Sequence, residues 1–478
     1  MAKQKKNRER DLVHGQISGH FRALAIPAGI GMLFNTLYNV VDTFYAGMIS
    51  TDAQAGLSVS FTVFFILIAF GIGLGQGISA LVGSAIGAKK HTDAKDLAAQ
   101  GLSFAGLFSI IIGIGGYYAT PLLLDLLGVS NGYRELAIAY LRIIMFAAPA
   151  FMIAFAANGI LSAQGDTVSN QHALIGGFLA NCILNPLFIF GIPGITTIPE
   201  LGFNGLGFDG LATSTVVIEW GVALYMLRQA LGSRVMEHSR LNCFLLRWQT
   251  VKDIMSQGAP ASLNFLTITM GVFVIQFFLQ PFGATAVAAY GIALRIEQLI
   301  LLPGLGLTIV LLPIIAQNFG AQAFDRIRYA FWWCVSVGTA MMLAGALLLL
   351  FGGKLLLSLF TSDPAVIDIG FDYLLLAAPM LPAYLTLFAM MSFLQGIKRP
   401  IWTVWIGIYR QIFASAGFAA LFVYVLDWGT WGVWAAVFAA VWSGLILSGL
   451  ILFVVAHKRI GNLGTPRVLV LSSKSKVI

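Results

Sequence analysis

Asp42 is the side chain in this sequence that is best placed to do chemistry. It lies in an apolar stretch in which everything else from position 23 to position 50 is uncharged. Asn35, Tyr38 and Asn39 precede it at spacings that put all four side chains on one face of a helix. Because lipid offers no hydrogen bonds, we expect this polar stripe to line a cavity or to face another polar helix.

Neutral polar side chains in later segments are candidate neighbours of Asp42. With no basic residue among them, Asp42 would have no cation to hold it ionised, so it could bind and release a proton. Carboxylate, amide and hydroxyl oxygens could instead coordinate Na⁺ around Asp42 and Asn181. The candidates are Asn181 and Asn185, four residues apart, with Asn158, Thr213 and Thr215.

Pro27 lies fifteen residues before Asp42 in the same expected helix, about 22 Å away along a straight axis. A proline inside a helix removes one backbone hydrogen bond and favours a kink. Protonation of Asp42 could therefore bias a helix that is able to bend at Pro27. Proline kinks in membrane helices are also often purely structural, and the sequence leaves both interpretations open.

Two further acids, Glu219 and Glu297, are expected deep inside apolar spans, where ionisable side chains are costly. Glu297 has Arg295 two residues away, and Arg410 lies in another span. We favour a charge cluster that holds helices together at Glu297, with a functional role as the alternative. Glu219 has no cation nearby in sequence, and structural and functional interpretations stay open for it.

The composition identifies the elements that must position these groups. The chain is 58% hydrophobic and 10% charged, with a mean hydropathy of +0.87, whereas soluble domains carry about 25% charged residues. Apolar runs of about 20 residues suffice to cross a bilayer, and the sequence predicts twelve helical spans. Their expected limits are 22–49, 54–86, 98–120, 135–160, 168–191, 207–230, 252–279, 286–317, 329–351, 371–395, 401–425 and 431–456.

Most of the 28 Lys and Arg residues fall in the tails and in every second connecting segment. Since cytoplasmic loops collect Lys and Arg, both termini are predicted to be cytoplasmic. The basic charge thus reports orientation, and we expect no nucleic-acid partner. The predicted organisation is a basic tail (1–21), a six-helix lobe (22–230), a cytoplasmic loop (231–251), a second six-helix lobe (252–457) and a cytoplasmic tail (458–478).

The two halves resemble each other at a nearly constant offset. "LAIPAGIGMLFN" parallels "QGAPASLNFLTI", which aligns Pro27 with Pro260, 233 residues apart, and the offset falls to 231 when "LSAQGD" is aligned with "SFLQGIK". The predicted fold is therefore an all-α polytopic membrane protein with two pseudo-symmetric six-helix bundles. Repeats of this kind recur in transporters, with the substrate site between the lobes, which favours a carrier over a channel.

No nucleophile–base constellation, metal-ligand cluster or nucleotide-binding motif is found in the sequence. The glycine-rich stretch "GIGLGQG" at 71–77 lacks the strand, spacing and Lys of a phosphate loop, and close helix packing explains it better. We therefore expect a transporter that is not an enzyme, has no cofactor and is driven by an ion gradient.

Several motifs together resemble the multidrug and toxic compound extrusion (MATE) family. They are "LYNVVDTFYAG" in the first span, "SAIGAKK" after the second, "LSAQGD" after the fourth and "LANCILNPLF" in the fifth, and the resemblance runs from about residue 20 to about residue 460. It implies a V-shaped pair of bundles in a bacterial inner membrane, exporting organic cations and amphipathic drugs in exchange for H⁺ or Na⁺. It also implies that Asp42 is the coupling carboxylate, Pro27 the bending proline, and Tyr38, Asn158 and Asn181 the polar lining.

The sequence departs from the family pattern at three positions. Asn185 stands where some members have a second aspartate, and Ile268 and Tyr384 stand where one bacterial branch carries acids. The pattern is closer to the DNA-damage-inducible-F-like branch, which favours protons as the coupling ion, with Na⁺ as the alternative. A lipid-linked precursor flippase is a further alternative, although it would need a basic groove. We expect a monomer that contacts membrane lipid and small-molecule drugs.

Overall fold

A computed structural model describes residues 9–127, 129, 132–191 and 205–464, and these ranges consist of helices and their connecting loops. Within these ranges eleven helices are long and apolar enough to cross a membrane, and one bent pair of helices makes a twelfth crossing. The predicted all-α polytopic membrane fold is confirmed, with eleven candidate spans, or twelve when the bent pair is counted as one span. Residues 1–8 of the expected tail 1–21 and residues 465–478 of the expected tail 458–478 lie outside the described residues.

The N-terminal lobe contains the first six crossings. Its helices are α1 (Ile17–Ile49), α2 (Thr51–Gly87), α3 (His91–Leu126), the bent pair α4a (Gly132–Met145) and α4b (Ala148–Ala163), α5 (Val168–Phe190) and α6 (Phe208–Leu231).

The C-terminal lobe follows a linking loop that contains a short 3-10 helix. Its last-but-one crossing departs from α-helical geometry in two π-helical stretches, Tyr409–Ala414 and Ala420–Val425. Its helices are α7 (Trp248–Leu279), α8 (Ala284–Gly320), α9 (Phe324–Ser358), α10 (Pro364–Gly396), α11 (Ile401–Val425) and α12 (Gly429–Ile460).

The fourth crossing, for which the sequence predicted a span over 135–160, consists of two helices with a bend between them. Its two segments meet at an angle of 53°. Pro149 lies in the first turn of α4b, where a missing backbone N–H costs nothing but where the preceding helix cannot continue through it. Several other helices are longer than expected; α1, for example, begins at Ile17 rather than at position 22.

The backbone confirms the internal repeat and corrects its register. Lys89 and Gln322 both adopt left-handed φ angles, 59° and 56°, after α2 and α8, and these positions are 233 residues apart. Gly165 and Lys398 do the same after α4b and α10, with φ of 74° and 59°, again 233 apart. The offset of 231 expected at this second place is therefore wrong, because matching the two Gln-Gly pairs shifted the alignment by two residues.

The glycine-rich stretch 71–77 of α2 serves close helix packing, as the sequence indicated. A Cβ on Gly75 would lie 2.7 Å from the carbonyl oxygen of Phe155 in α4b. A Cβ on Gly77 would lie 2.7 Å from the backbone nitrogen of Gly258 in α7. Larger residues at these two positions would force the helices apart.

The two lobes meet at the end of the molecule that carries Lys89 and Lys90, which we call the basic end. There the backbones of α2 and α8 approach so closely that a Cβ on Gly87 would overlap the carbonyl oxygen of Gln317. At the opposite end the buried apolar clusters are each built from one lobe, with members between 46 and 212 in one and between 275 and 441 in the other. The bundles are therefore joined at the basic end.

Candidate functional site

Asp42 lies between α1 and α5 and is 2% exposed. Its Oδ1 accepts hydrogen bonds from the Nδ2 atoms of Asn181 and Asn185, both at 2.8 Å. The two asparagines stand four residues apart on α5, so they present their amides on the same face. The structure thus brings together the carboxylate and the two amides that the sequence singled out.

A second set of polar groups surrounds these three side chains. The hydroxyl of Ser214 in α6 lies within hydrogen-bonding reach of Asn185 Oδ1. The hydroxyl of Tyr38 is buried beside Thr215 and Asn181, yet it makes no hydrogen bond of acceptable geometry among the described residues. We call Tyr38, Asp42, Asn181, Asn185, Ser214 and Thr215 the Asp42 cluster.

Three oxygen atoms in the Asp42 cluster have capacity for a further partner. Both amide hydrogen bonds fall on Oδ1 of Asp42, and no described residue donates to its Oδ2. Asn181 Oδ1 and the Tyr38 hydroxyl are buried without a hydrogen-bond partner among the described residues. Buried polar atoms are rarely left unpaired, so this arrangement is able to take up a proton or a small cation.

Glu219 supplies a second carboxylate on the same side of the N-terminal lobe. It lies four residues after Thr215 on α6, so the two side chains share a helix face. It is partly buried and interacts electrostatically with Asp42. In the part of the chain that the structure describes, Glu219 forms no ion pair with a Lys, Arg or His side chain.

Two of the residues predicted around Asp42 bond elsewhere, and a third, Asn35, is exposed. Asn39 donates to the backbone oxygen of Asn35, and Thr213 donates to the backbone oxygen of Asp209. Short polar side chains in a helix readily bond the carbonyl one turn earlier. Thr213 points away from the cluster because each helical residue is rotated about 100° from the last, and its neighbour Ser214 takes the inward position.

Asn158 is also not brought to Asp42. It lies in α4b and accepts a hydrogen bond from Ser162, one turn later in the same helix, at 3.4 Å. Its predicted place in the substrate cavity stays a prediction.

Pro27 lies inside the continuous helix α1. The half of α1 around Pro27 packs against the C-terminal lobe: Leu24 and Ala28 belong to the same apolar cluster as Leu307 and Leu311 of α8. The other half carries Asp42 into the N-terminal lobe. Helix α1 therefore connects the two lobes. The part around Pro27 lies against the C-terminal lobe, and the part that carries Asp42 lies in the N-terminal lobe.

The C-terminal lobe buries its own acid, Glu297 of α8, at 2% exposure. Glu297 Oε2 accepts a hydrogen bond from the hydroxyl of Tyr373 in α10. The Arg410 guanidinium, 5% exposed on a π-helical turn of α11, attracts Glu297 and lies 5.6 Å from the ring centroid of Tyr384. We call Glu297, Tyr373, Tyr384 and Arg410 the Glu297 cluster.

Arg295 does not belong to this cluster, which corrects the expected pairing with Glu297. Side chains two residues apart lie on different sides of a helix, and Arg295 is exposed while Glu297 is buried. The cation that attracts Glu297 is Arg410 of α11 instead.

Sequence reasoning missed Ser214 and Tyr373. Helical phase could have identified Ser214. It lies between Thr213 and Thr215, both candidate residues, and only one of three consecutive helical positions can point towards Asn185. Tyr373 sits in an apolar segment, "FDYLLLAAPM", and carries no local signal of its contact with Glu297.

The twelve crossings, the paired lobes and the buried acids define a multi-pass membrane transporter. The MatE family model matches residues 27–187 and again residues 260–421, one match in each lobe and together more than half of the chain. The protein belongs to the MATE family of multidrug efflux transporters. Its assignment to the DNA-damage-inducible-F-like branch stays a prediction.

Individual relatives agree with this assignment. The chain is 28% identical over 429 residues to the probable multidrug resistance protein YoeA of Bacillus subtilis, covering 87% of this chain and 89% of the relative. It is 28% identical over 411 residues to a FAD transporter of Shewanella oneidensis, covering 84% and 87%. A crystal structure of a MATE in the bent conformation superposes with a TM-score of 0.83 at 25% identity, covering 95% and 97%.

Proposed function

We propose that this protein is an antiporter that exports cationic and amphipathic drugs in exchange for protons by alternating access. The observation that carries the proposal is the environment of Asp42. Its described hydrogen-bond partners are the neutral amides of Asn181 and Asn185. Protonation and deprotonation there break no ion pair, which suits a group that must do both in every cycle.

Protons are favoured over Na⁺ as the coupling ion by the way the amides point. Na⁺ binds several oxygen ligands, yet Asn181 and Asn185 both present their N–H groups to Asp42, and Asn185 Oδ1 faces Ser214. A proton needs only one oxygen, and Oδ2 of Asp42 supplies it. Na⁺ bound by Asp42 and Asn181 is the alternative.

The charge of the N-terminal lobe supports a cationic substrate. Asp42 and Glu219 interact with each other electrostatically. A cationic drug bound near these carboxylates and a proton bound to one of them would therefore compete for the same negative charge. The Shewanella oneidensis relative is named for FAD, an anion, and a lipid-linked precursor would also bring phosphates. The acidic and amide groups of the Asp42 cluster fit neither anion, which favours drug export over both alternatives.

Helix α1 supplies a route from proton to conformation. Its Asp42 half belongs to the N-terminal lobe and its Pro27 half packs on α8 of the C-terminal lobe. When Asp42 gains a proton it holds the amides of α5 less strongly, since hydrogen bonds to a charged acceptor are the stronger ones. The helix then bends at Pro27, where one backbone hydrogen bond is already missing. A related MATE is known in a bent conformation.

Orientation follows from the basic residues. The basic end faces the cytoplasm of a bacterial inner membrane, with both termini on that side. The protein works as a monomer in this proposal, because one chain contains both lobes.

The test is ethidium uptake into proteoliposomes under separately imposed gradients. An acidic lumen at equal Na⁺ should drive ethidium uptake by the wild type, and a Na⁺ gradient at equal pH should not. Asp42→Asn should reduce proton-driven uptake to the level of empty vesicles, because the amide cannot bind and release the proton.

Asp52→Asn is the matched control, since Asp52 is an exposed acid in the first turn of α2, and it should transport as the wild type does. Uptake driven by Na⁺ alone would overturn proton coupling while keeping antiport. Proton-driven uptake by Asp42→Asn at the wild-type rate would overturn the role of Asp42.

A further inference from the structure

Residues Glu9–Gly15 lie between the two lobes at the basic end, and we call them the inter-lobe segment. Sequence reasoning treated them as part of a basic tail. Leu12 is 0% exposed and packs in one apolar cluster with Ile314 and Ile315 of α8. A leucine at the centre of a solvated tail would not be buried in this way.

The sequence R-D-L-V-H-G folds locally so as to turn Leu12 inward. Oδ1 of Asp11 accepts from the backbone nitrogens of Val13 and His14, at 2.9 and 3.3 Å, which makes the side chain a turn former. The chain then reverses at Gly15, with φ of +86°, a conformation that favours glycine. The backbone oxygen of His14 lies 2.6 Å from Nε2 of His20, which ties the loop to α1.

Polar contacts join the inter-lobe segment to the N-terminal lobe and to the linking loop that follows α6. The backbone nitrogen of Arg10 donates to the carbonyl oxygen of Gln164, after α4b, at 2.9 Å. The Glu9 carboxylate accepts from the backbone nitrogen of Arg234 and pairs with its guanidinium, both at 2.9 Å.

Among the described residues, the contacts of Leu12 with the C-terminal lobe are more buried than the contact with Arg234. The backbone nitrogen of Leu12 donates to Gln317 Oε1, and Nδ2 of Asn318 donates to the Leu12 oxygen, both at 3.0 Å. Arg326 of α9 donates to the oxygen of Gly15 at 2.9 Å. The amide nitrogen of Gln317 in turn donates to the backbone oxygen of Ala163 in the N-terminal lobe.

We propose that the inter-lobe segment is a latch that stabilises the state in which the basic end is closed. Alternating access, on which this inference rests, requires the lobes to separate at that end. The segment contacts both lobes, so one set of its contacts must then break. It stays with the C-terminal lobe, where Leu12 is buried, and releases the ion pair with Arg234 and the bond to Gln164.

The first test measures the distance between the lobes by electron spin resonance, without drug or gradient. Spin labels are placed at Thr92→Cys and Lys458→Cys, exposed positions at the basic end of either lobe, after Cys182, Cys243 and Cys334 are replaced by alanine. Deleting residues 2–15, or the single change Leu12→Ala, should raise the ratio of long to short distances about tenfold, the scale expected when a buried apolar anchor is removed.

His14→Ala is the matched control, because the His14 side chain is exposed and contacts Asp11 within the segment; it should leave the distances unchanged. A deletion variant that stays folded and keeps the wild-type distances would overturn the latch, even if its melting temperature falls. Since the readout needs no proton or drug, a shift in distance stands even if Asp42→Asn still transports.

A second test locks the segment to the N-terminal lobe. A Cβ at Gly165 would lie 3.1 Å from Cβ of Arg10, below the separation of about 3.5–4.5 Å in disulfides, so the segment must move outward slightly for the bond to form. Oxidised Arg10→Cys/Gly165→Cys should keep the short distance and lose ethidium transport, reductant should restore transport, and each single cysteine should be insensitive to oxidant. Continued turnover by the oxidised pair would contradict the latch.

Discussion

Each lobe of this transporter contains a carboxylate that is only 2% exposed, Asp42 in one and Glu297 in the other, and the surroundings of the two differ. Asp42 faces two neutral amides on α5, whereas Glu297 faces a tyrosine hydroxyl and the guanidinium of Arg410. The Arg410 guanidinium attracts the charged form of Glu297 and so opposes loss of that charge, whereas the amides beside Asp42 carry no charge. An acid among amides has no such constraint. We infer that the N-terminal acid exchanges an ion and that the C-terminal acid stabilises its lobe.

The two lobes share one repeated arrangement of helices, but their buried acids lie at different positions in the repeat. The position 233 residues after Asp42 holds Ile275, so the two acids occupy non-equivalent helices, α1 and α8. Tyr140 and Tyr373 are also 233 residues apart, and each interacts with the acid of its own lobe. Equivalent positions of the two lobes therefore hold tyrosines that interact with acids, although the two acids belong to non-equivalent helices.

The largest stability effect is expected at Arg410, because its removal leaves a buried, uncompensated carboxylate. Arg410→Met should lower the free energy of unfolding by about 3–5 kcal/mol, measured by thermal unfolding in detergent. The double variant Arg410→Met/Glu297→Gln should regain most of that loss, because it removes both charges. A loss in the double variant equal to the sum of the losses in Arg410→Met and Glu297→Gln would show that the two residues are not coupled.

A smaller effect is expected from removing one hydroxyl in each lobe. Tyr373→Phe should cost about 1.5–3 kcal/mol, since it deletes a hydrogen bond to a charged group. Tyr140→Phe is the equivalent change in the N-terminal lobe, where no hydrogen bond to Asp42 is formed among the described residues, and it should cost about 0.5–1.5 kcal/mol. Thermal unfolding of the two variants compares the lobes directly, and the reverse order would break the comparison.

The smallest stability effect is expected at Asp42, where the functional effect is largest. An asparagine there keeps the oxygen that accepts from α5, and its new N–H₂ group can donate to Asn181 Oδ1 or to the Tyr38 hydroxyl, both without a partner among the described residues. Asp42→Asn should therefore change the free energy of unfolding by less than about 1 kcal/mol. A large loss of stability would assign Asp42 a structural role like that of Glu297.

Sequence patterns predicted the fold well because lipid imposes strong rules. Span length and apolar composition gave twelve crossings, and the repeat offset gave two lobes. The bend between α4a and α4b near Pro149 and the π-helical turns around Arg410 were not predicted, since both depend on how neighbouring helices pack. The inter-lobe segment was also missed: composition marks residues 1–21 as basic, and nothing local shows that Leu12 is buried by α8.

The candidate site was predicted in part. Helical spacing brought Asp42, Asn181 and Asn185 together because residues four apart must share a face. Spacing did not fix the rotation of each helix, so Thr213 was included in place of Ser214. Proximity in sequence was also misleading for Arg295, because the contact that balances Glu297 comes from a helix more than a hundred residues away.

The central claim is that Asp42, and not Glu297, exchanges the proton. The most direct measurement is proton release when ethidium binds to the purified protein in weakly buffered detergent, followed with a pH indicator. The wild type and Glu297→Gln should release a proton on binding, and Asp42→Asn should bind ethidium without release. Proton release by Asp42→Asn equal to that of the wild type, or its loss in Glu297→Gln alone, would contradict the account.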